Sequence, residues 1–325
     1  MGLFGNKNNT QVSASLTNEE KYGKAWLMIV GQKQKNAGLQ IMKELDSAGY
    51  IEGTIALSMF AQNSEERKRL IKKAADAGNV EGLWEYCGFL KHSYVPDRRN
   101  PDDANWEKYC SAAAELGSAD AMNEMGNVCS RRNQYAESMY WYVMANSNEH
   151  PDGQLSMAGI ANKWVSAGCP YDFIPGTPKF DRNRHTCAIT YLELYAGKEL
   201  TTDINTIVQM AINGVSIAGY LAGDIFENAG NDEMAFRMYN ALAFEHDAHA
   251  IRCLGDMYYY GKGTTRNPES AFKMYNLAAQ TGDRGAMFII GELTKAQNKN
   301  LAAYWYGVSH TRGYSPALQR LIQLA

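Results

Sequence analysis

The chain has 325 residues, of which 45% are hydrophobic and 21% are charged, and its formal net charge is −3. This hydrophobic fraction excludes wholesale disorder, and the near balance of 32 basic and 35 acidic residues argues against a dedicated nucleic-acid binder. The length exceeds the ~250–300 residues at which single cores stop growing, so the sequence predicts either several domains or a repeat array.

The composition is typical of helices. The chain has only 8 prolines, and none of them lies within residues 1–95 or 179–267. Such stretches, rich in Ala, Leu, Met, Glu and Lys, favour helix, and the period-2 alternation of Val and Ile that indicates strands is missing. No apolar run approaches the ~18 residues of a membrane span, and we recognise no secretory signal. We therefore predict an all-α protein that has no contact with a membrane.

The predicted elements begin after the amino terminus. Residues 1–16, rich in Asn, Gly and Ser, are predicted to form a flexible tail, and residues 17–325 one continuous array of helix pairs. Thr17 and Glu20 have the spacing of a capping box, which predicts the start of the first helix. Two later pairs end in Ala-Ala-x-x-Gly with another small residue four positions on. These endings are Ala74-Ala75…Gly78…Gly82 and Ala113-Ala114…Gly117…Ala121.

An irregular region interrupts the array at about residues 167–214. A loop at 167–182 holds three of the eight prolines, and an extra helix is predicted near 203–214. Several ionisable side chains cluster in the surrounding region 150–217. They are Asp172, Asp181, Arg182, Arg184 and His185. Because acid–base catalysis needs such groups close together, an enzyme with its site here is one alternative.

The clearest repetition follows this region. Residues 235–243 and 271–279 are nearly identical and are offset by 36 positions, and a third copy covers 289–306. Asn267 before Pro268 predicts the capped start of a helix. Ser315-Pro316 then opens a predicted closing helix, 316–325.

The best copy of the repeat carries a spaced set of small and aromatic residues. Its members are Ala250, Leu254, Gly255, Tyr258, Gly261, Gly263, Ala271, Tyr275, Ala278, Ala279 and Gly282. This set resembles the Sel1-like repeat family, a relative of the tetratricopeptide repeats, with departures at Asn267 and Met274. The resemblance implies a right-handed α-α superhelix, a solenoid of about eight helix pairs, and usually a protein-binding scaffold without catalysis. Since no pair buries its apolar face alone, stacking is expected to supply a continuous core.

The resemblance also indicates where a partner is expected to bind. In tetratricopeptide-like stacks the first helix of each pair lines the concave side, and the positions three before, one after and four after a helix-packing glycine face it. Counting from Gly88, Gly126, Gly223, Gly255 and Gly291 gives fifteen such positions, and we select eight of them as partner-binding candidates. They are Glu85, Phe89, Tyr220, Asp224, Arg252, Asp256, Tyr259 and Phe288. Mixed aromatic and charged residues suit a protein or peptide interface, although they equally suit a solvated polar face.

Two other patterns bear on chemistry. His246, His249 and Cys253, at i, i+3 and i+7, are the residue types of a metal site, but they belong to the turn and first helix of a repeat, with no acidic fourth ligand nearby. The 6 cysteines show no paired spacing, which predicts reduced thiols and a cytoplasmic location. We expect no catalytic residue, no metal and no cofactor.

The sequence thus predicts a cytoplasmic, bacterial-type or phage-type adaptor that holds a partner protein or peptide and binds no nucleic acid. Two alternatives stay open, namely an enzyme with its site in 150–217 and an effector exported without a recognisable signal. The identity of the partner and the choice between a monomer and a homo-oligomer are left open as well.

Overall fold

The computed structural model describes residues 16–31, 34–93, 105–174, 180–244 and 247–325, apart from the side chains of 92, 93 and 244. These residues form eighteen α-helices and no strand, so the prediction of an all-α fold is confirmed. The predicted tail, 1–16, falls almost entirely outside the described residues, and so do 175–179 of the predicted loop. No helix in the described part is long and apolar enough to cross a membrane.

The helices are short and follow one another closely along the chain. Their bounds are α1 Asn18–Val30, α2 Lys35–Ser47, α3 Ile51–Ser58, α4 Ser64–Asp76, α5 Val80–Ser93, α6 Trp106–Glu115, α7 Ala119–Arg131, α8 Tyr135–Ser147, α9 Gly153–Ser166, α10 Arg182–Tyr195, α11 Ile204–Ile212, α12 Ser216–Asn228, α13 Asp232–Phe244, α14 Ala248–Tyr260, α15 Pro268–Thr281, α16 Arg284–Thr294, α17 Lys299–Thr311 and α18 Ser315–Leu324.

Consecutive helices pack against each other as pairs, from α1 with α2 to α16 with α17. The prediction of about eight helix pairs in a solenoid is thereby confirmed. Helix α11 lies between the fifth and sixth pairs and packs on both members of the sixth, whereas α18 packs on α17 and α1.

Polar side chains cap the helix starts. Thr17 and Glu20 form the expected capping box, with the Glu20 amide donating to the Thr17 hydroxyl. Asn267 caps α15 through the Ser270 amide, with Pro268 in the first turn. Asp247 and Asp283 do the same for α14 and α16. Each cap satisfies a backbone donor that lacks a partner inside the helix, which explains why the pairs begin where they do.

The two helices of a pair meet where a glycine faces a tyrosine. A Cβ added at Gly255 would lie 2.6 Å from the Tyr275 ring, and one at Gly291 would lie 2.5 Å from the Tyr306 ring. The expectation that Gly88 is a packing glycine is wrong, because a Cβ there meets nothing within 4 Å. In that part of the chain the close approach falls at Gly82, where a Cβ would lie 2.6 Å from the Ala74 backbone.

The solenoid closes on itself through α1 and α17. Gly23 lies against the backbone of Asn300, and Gly307 lies against Trp26, whose indole would be 2.6 Å from an added Cβ. The side-chain amide of Asn298 also donates to Glu20, 278 residues away, at 3.0 Å. The first pair therefore shares one hydrophobic cluster with the last pairs instead of ending the array. We call this α1–α17 contact the seam.

A second contact between distant repeats surrounds Arg284, at the start of α16. Its guanidinium donates to the carbonyl of Glu149 at 2.7 Å, across 135 residues, and to the carbonyl of Arg312 at 3.1 Å. Ser309 donates to the Arg284 carbonyl at 2.8 Å. Since Arg284 is 8% exposed, these bonds tie the ends of α8 and α17 to α16 inside the molecule. We call this cluster the hub.

Candidate functional site

The described residues form a recess of about 910 Å³. Helices from four consecutive pairs contribute to it, namely α8, α9, α10, α12, α13 and α14. Its lining is rich in tyrosine and in charged side chains. The lining residues include Tyr191, Tyr195, Tyr220, Asp224, Glu227, Asn228, Tyr239, His249, Arg252, Cys253, Asp256, Tyr260 and Lys262. Its volume falls at the upper end of the ~300–1,000 Å³ usual for ligand pockets.

Four of the eight candidates from the sequence line this recess. Tyr220 and Asp224 come from α12, and Arg252 and Asp256 come from α14. The spacing rule thus brings together residues of two neighbouring pairs. Tyr220 is only 3% exposed, however, and its hydroxyl donates to Asp247, so its ring forms part of the wall.

The other four candidates lie outside the recess. On α5, Glu85 pairs with Arg67 at 2.6 Å, and the Phe89 ring lies 5.6 Å from the same guanidinium. The Tyr259 ring packs against the ring of Tyr260, but Tyr259 itself is not part of the recess lining. Phe288 packs between the rings of Tyr306 and Tyr314. These four residues therefore do not form one surface with the recess.

Arg252, one of the lining residues, is the centre of a cluster of charged side chains. Its guanidinium lies 3.2 Å from Asp283, 3.3 Å from Glu149 and 3.4 Å from Asp256. Burial lowers the pKa of Arg252, but Asp283 and Glu149 more than offset this effect, so the pKa is raised. The side chain is 12% exposed and its charge is already balanced, which leaves little of it for an anionic ligand.

His249 and Cys253 lie beside this cluster. The guanidinium of Arg252 lies 3.0 Å from Nδ1 of His249. Because arginine only donates, Nδ1 accepts, and the proton of the neutral ring is on Nε2, 3.3 Å from the Cys253 sulfur. Burial, with Arg252 adding to it, holds the pKa of His249 well below its usual range. The third member of the metal pattern, His246, lies outside the described residues, which hold no group of three possible metal ligands.

Two tyrosines that face a packing glycine share one hydrogen-bond pattern, and a third, Tyr239, departs from it. Tyr275 donates to Asp256 at 2.8 Å and Tyr306 donates to Glu292 at 2.6 Å, each to the residue after the packing glycine of its own pair. Asp224 instead accepts from Tyr191 of the preceding pair, at 3.0 Å. Tyr239, which the rule would pair with Asp224, makes no hydrogen bond among the described residues and lines the recess. Burial raises the pKa of Asp224 to about 6, with Glu227 adding to it.

Sequence reasoning missed the residues that complete the recess. Tyr191 and Tyr195 come from α10, in the region where the repeat pattern is weakest, and Lys262 follows α14. Their i, i+4 spacing places Tyr191 and Tyr195 on one face of α10, and this was the available signal. Tyr195 is 37% exposed and Tyr260 is 68% exposed, so both rings are open to a ligand.

Four of the five clustered ionisable residues of the irregular region lie at the start of α10, and Asp172 lies in the loop before it. Asp181 caps the helix through the Arg184 amide and pairs with the Arg184 guanidinium at 2.6 Å. Arg182 lies over the Phe173 ring at 5.0 Å. His185 is buried against the rings of Phe173 and Phe180, and burial lowers its pKa. These contacts are those of a capped and packed helix start.

No family model and no curated protein matches the chain. Among solved structures it is similar to a Sel1 repeat protein from Oxalobacter formigenes, with 16% identity, 98% of this chain and 86% of that chain covered, and a TM-score of 0.39. It is also similar to a protective antigen present in uropathogenic Escherichia coli strains and displaying an SLR fold. That match has 18% identity, covers 93% of this chain and 73% of that chain, and has a TM-score of 0.36.

Proposed function

We propose that the protein is a non-catalytic scaffold that binds a partner protein or peptide in the recess. The observation that carries this proposal is the recess itself, about 910 Å³ in volume, with the accessible rings of Tyr195 and Tyr260 on its walls. Tyrosine supplies a large contact area at a small cost in side-chain entropy, and it is enriched where interface energy concentrates.

The polar groups of the recess support binding more than catalysis. Asp256 accepts from Tyr275, and Asp224 accepts from Tyr191. Arg252 is held by three carboxylates, and His249 is bonded through both ring nitrogens. A general base must reach a proton on the substrate, whereas each of these groups is already bonded to a neighbouring side chain that fixes its position. The two carboxylates keep further lone pairs for the donors of a ligand.

The location in a reducing cytoplasm is part of the same proposal. All six cysteines are free, and four of them are buried. Burial raises the pKa of Cys129 and Cys187, Cys187 to about 12, which keeps the latter as an unreactive thiol. Proteins of oxidising compartments more often use such residues in disulfides.

A selection from a random peptide-display library on the immobilised full chain tests the proposed site. Asn228, exposed at the edge of the recess, is changed in Asn228→Trp to place an indole in it. The matched control is Asn240→Trp, at an exposed position of α13 outside the lining. We expect selected peptides to bind Asn228→Trp at least ~10-fold more weakly than the wild-type chain, a loss of about 1.4 kcal/mol, and to bind the control normally. Equal binding to both variants, or no enriched peptide, would contradict the proposal.

A further inference from the structure

The recess presents more negative than positive charge to a ligand. Asp224, Glu227 and Asp256 line it, against the two cations Arg252 and Lys262. Arg252 also pairs with Asp256 at 3.4 Å, and with Glu149 and Asp283, which are not part of the lining, at 3.3 and 3.2 Å. The positive charge of Arg252 is thus neutralised by carboxylates of the protein. Lys262 is the one remaining cation of the lining that could neutralise the carboxylates at the rim.

Two of these carboxylates belong to neighbouring pairs and lie at similar positions in them. Asp224 and Asp256 each follow the packing glycine of a first helix, Gly223 or Gly255. Glu227 is one turn further along α12 and is exposed. Two successive helix pairs therefore each contribute a carboxylate to the recess. An extended ligand that crosses both pairs can contact both carboxylates.

The aromatic rings on the walls of the recess also suit a positively charged ligand. The exposed rings of Tyr195 and Tyr260 line the same recess as the carboxylates, and the Tyr239 hydroxyl has no hydrogen-bond partner among the described residues. A tyrosine face attracts a cation, and it also packs against the methylene stem of a long basic side chain. An anionic ligand would gain neither contact.

We propose that the recess binds an extended peptide segment through a lysine or arginine side chain, held by Asp224, Glu227 and Asp256 between the tyrosine rings. This inference rests on the proposed function, since it names the chemistry of the partner in the same recess. The size of the recess leaves room for residues on both sides of the basic side chain.

The electrostatics of the surrounding carboxyl groups agree with this occupant. Burial raises the pKa of Asp224 to about 6 and raises the pKa values of Glu149 and Asp283. A cation bound among these groups would favour their ionised forms and would lower the same pKa values.

Three peptide-display libraries test the inference. They differ only in the central residue, which is basic (lysine or arginine) in the first, leucine in the second and acidic (aspartate or glutamate) in the third. Each is selected on the wild-type chain, and binding that depends on the recess is defined by its loss in Asn228→Trp. We expect recess-dependent enrichment in the basic library to exceed that in the other two by at least ~10-fold. Equal or greater recess-dependent enrichment of the leucine or acidic library would overturn the inference and leave the proposed function standing. If no library shows recess-dependent enrichment, both fail.

A charge reversal at the rim tests the same contact with the selected basic peptides. Glu227→Lys is expected to weaken binding by about threefold to tenfold and to reduce its dependence on salt, because it removes one carboxylate and adds a competing cation. The matched control, Glu44→Lys, reverses a charge at an exposed position of α2, which lies outside the recess lining. Equal affinity of the two variants would overturn the inference, and equal melting curves show that both are folded.

Discussion

Single charged side chains connect repeats that are distant in the sequence. Arg252 joins α14 to Glu149 after α8 and to Asp283 before α16, and Arg284 joins α16 to the same Glu149. A charge buried in this way is stabilised only while its partners are present, because water no longer solvates it. Arg252 is thus a structural residue as well as a member of the recess.

Arg252→Ala is expected to lower the free energy of unfolding by about 3–5 kcal/mol, because it leaves Glu149 and Asp283 buried without their cation. Chemical denaturation followed by circular dichroism measures this change. The matched control is Arg237→Ala, whose partner Glu233 is 69% exposed, and it is expected to change stability by less than about 1 kcal/mol. A similar small effect of Arg252→Ala would show that the cluster does not hold the repeats together.

The raised pKa of Glu81, in the first turn of α5, predicts that the stability of the chain depends on pH. It lies beside Arg284 and Arg312, and desolvation raises its pKa to about 7, with Asp120 and Glu85 adding to the effect and the two arginines opposing it. The folded chain therefore holds this proton more tightly than the unfolded chain. The resulting stabilisation is complete below the ordinary pKa of 4.5 and is lost as the pH rises through about 7.

Replacement of this carboxyl group by an amide tests the assignment. Glu81→Gln is expected to raise the melting temperature relative to the wild type at about pH 8 and to leave it nearly unchanged at about pH 4.5. Thermal melts at the two pH values measure the difference, with Glu233→Gln as an exposed control. A gain that is the same at both pH values would rule out titration of Glu81 as the cause.

At the scale of the helix pair, a glycine and a tyrosine set the distance between two helices. Gly255 faces Tyr275, Gly291 faces Tyr306, and the tyrosine hydroxyl then bonds to the residue after the glycine. The absence of a side chain on one helix makes room for an aromatic ring on the other, so the interface is filled without a cavity. At Gly88 the same residue type has open space and does not contribute to the spacing.

Alanine substitutions at two of these glycines are expected to have opposite effects. Gly255→Ala places a methyl group 2.6 Å from the Tyr275 ring and is expected to cost about 1–3 kcal/mol of stability. Gly88→Ala fills open space within a helix and is expected to stabilise by about 0.5–1 kcal/mol. Denaturant melts of both variants measure the signs, and a stabilising Gly255→Ala would contradict the packing described here.

At the scale of the whole molecule, the seam makes the first and last pairs neighbours. Tyr22 is fully buried, Trp26 is 1% exposed, and the Tyr22 ring contacts that of Tyr304 at 5.9 Å. Terminal repeats of an open solenoid have one unstacked face and need a polar cap. In this chain the two terminal faces cover each other, so each end stabilises the other.

Opening the seam is expected to loosen both ends together. Gly307→Leu inserts a branched side chain where the Trp26 indole lies, and it should raise hydrogen exchange in α1, α17 and α18 while α7 to α10 stay protected. The control is Gly159→Leu, at an exposed glycine with nothing within 4 Å of an added Cβ. Exchange that rises in α17 and α18 but not in α1 would show that the terminal helices are independent.

The sequence by itself determined the helical class, the succession of pairs and the repeated small and aromatic positions, among them Gly255 and Tyr275. These features depend on residues fewer than about forty positions apart, and their spacing repeats along the chain, so a local pattern records them. It also placed Asp224 and Asp256 on one side of neighbouring pairs, because both follow a packing glycine.

Only the tertiary structure decided the seam, the hub and the full lining of the recess. The bond between Arg284 and Glu149 spans 135 residues, and Asn298 reaches Glu20 across 278. Such contacts depend on the curvature of the solenoid, which is the sum of small rotations between successive pairs. The sequence of a single repeat does not reveal this sum. For the same reason Tyr191 and Tyr195 join the recess from a degenerate part of the array. Their spacing places them on one face of α10, but only the path of the chain brings that face to the same recess as Arg252.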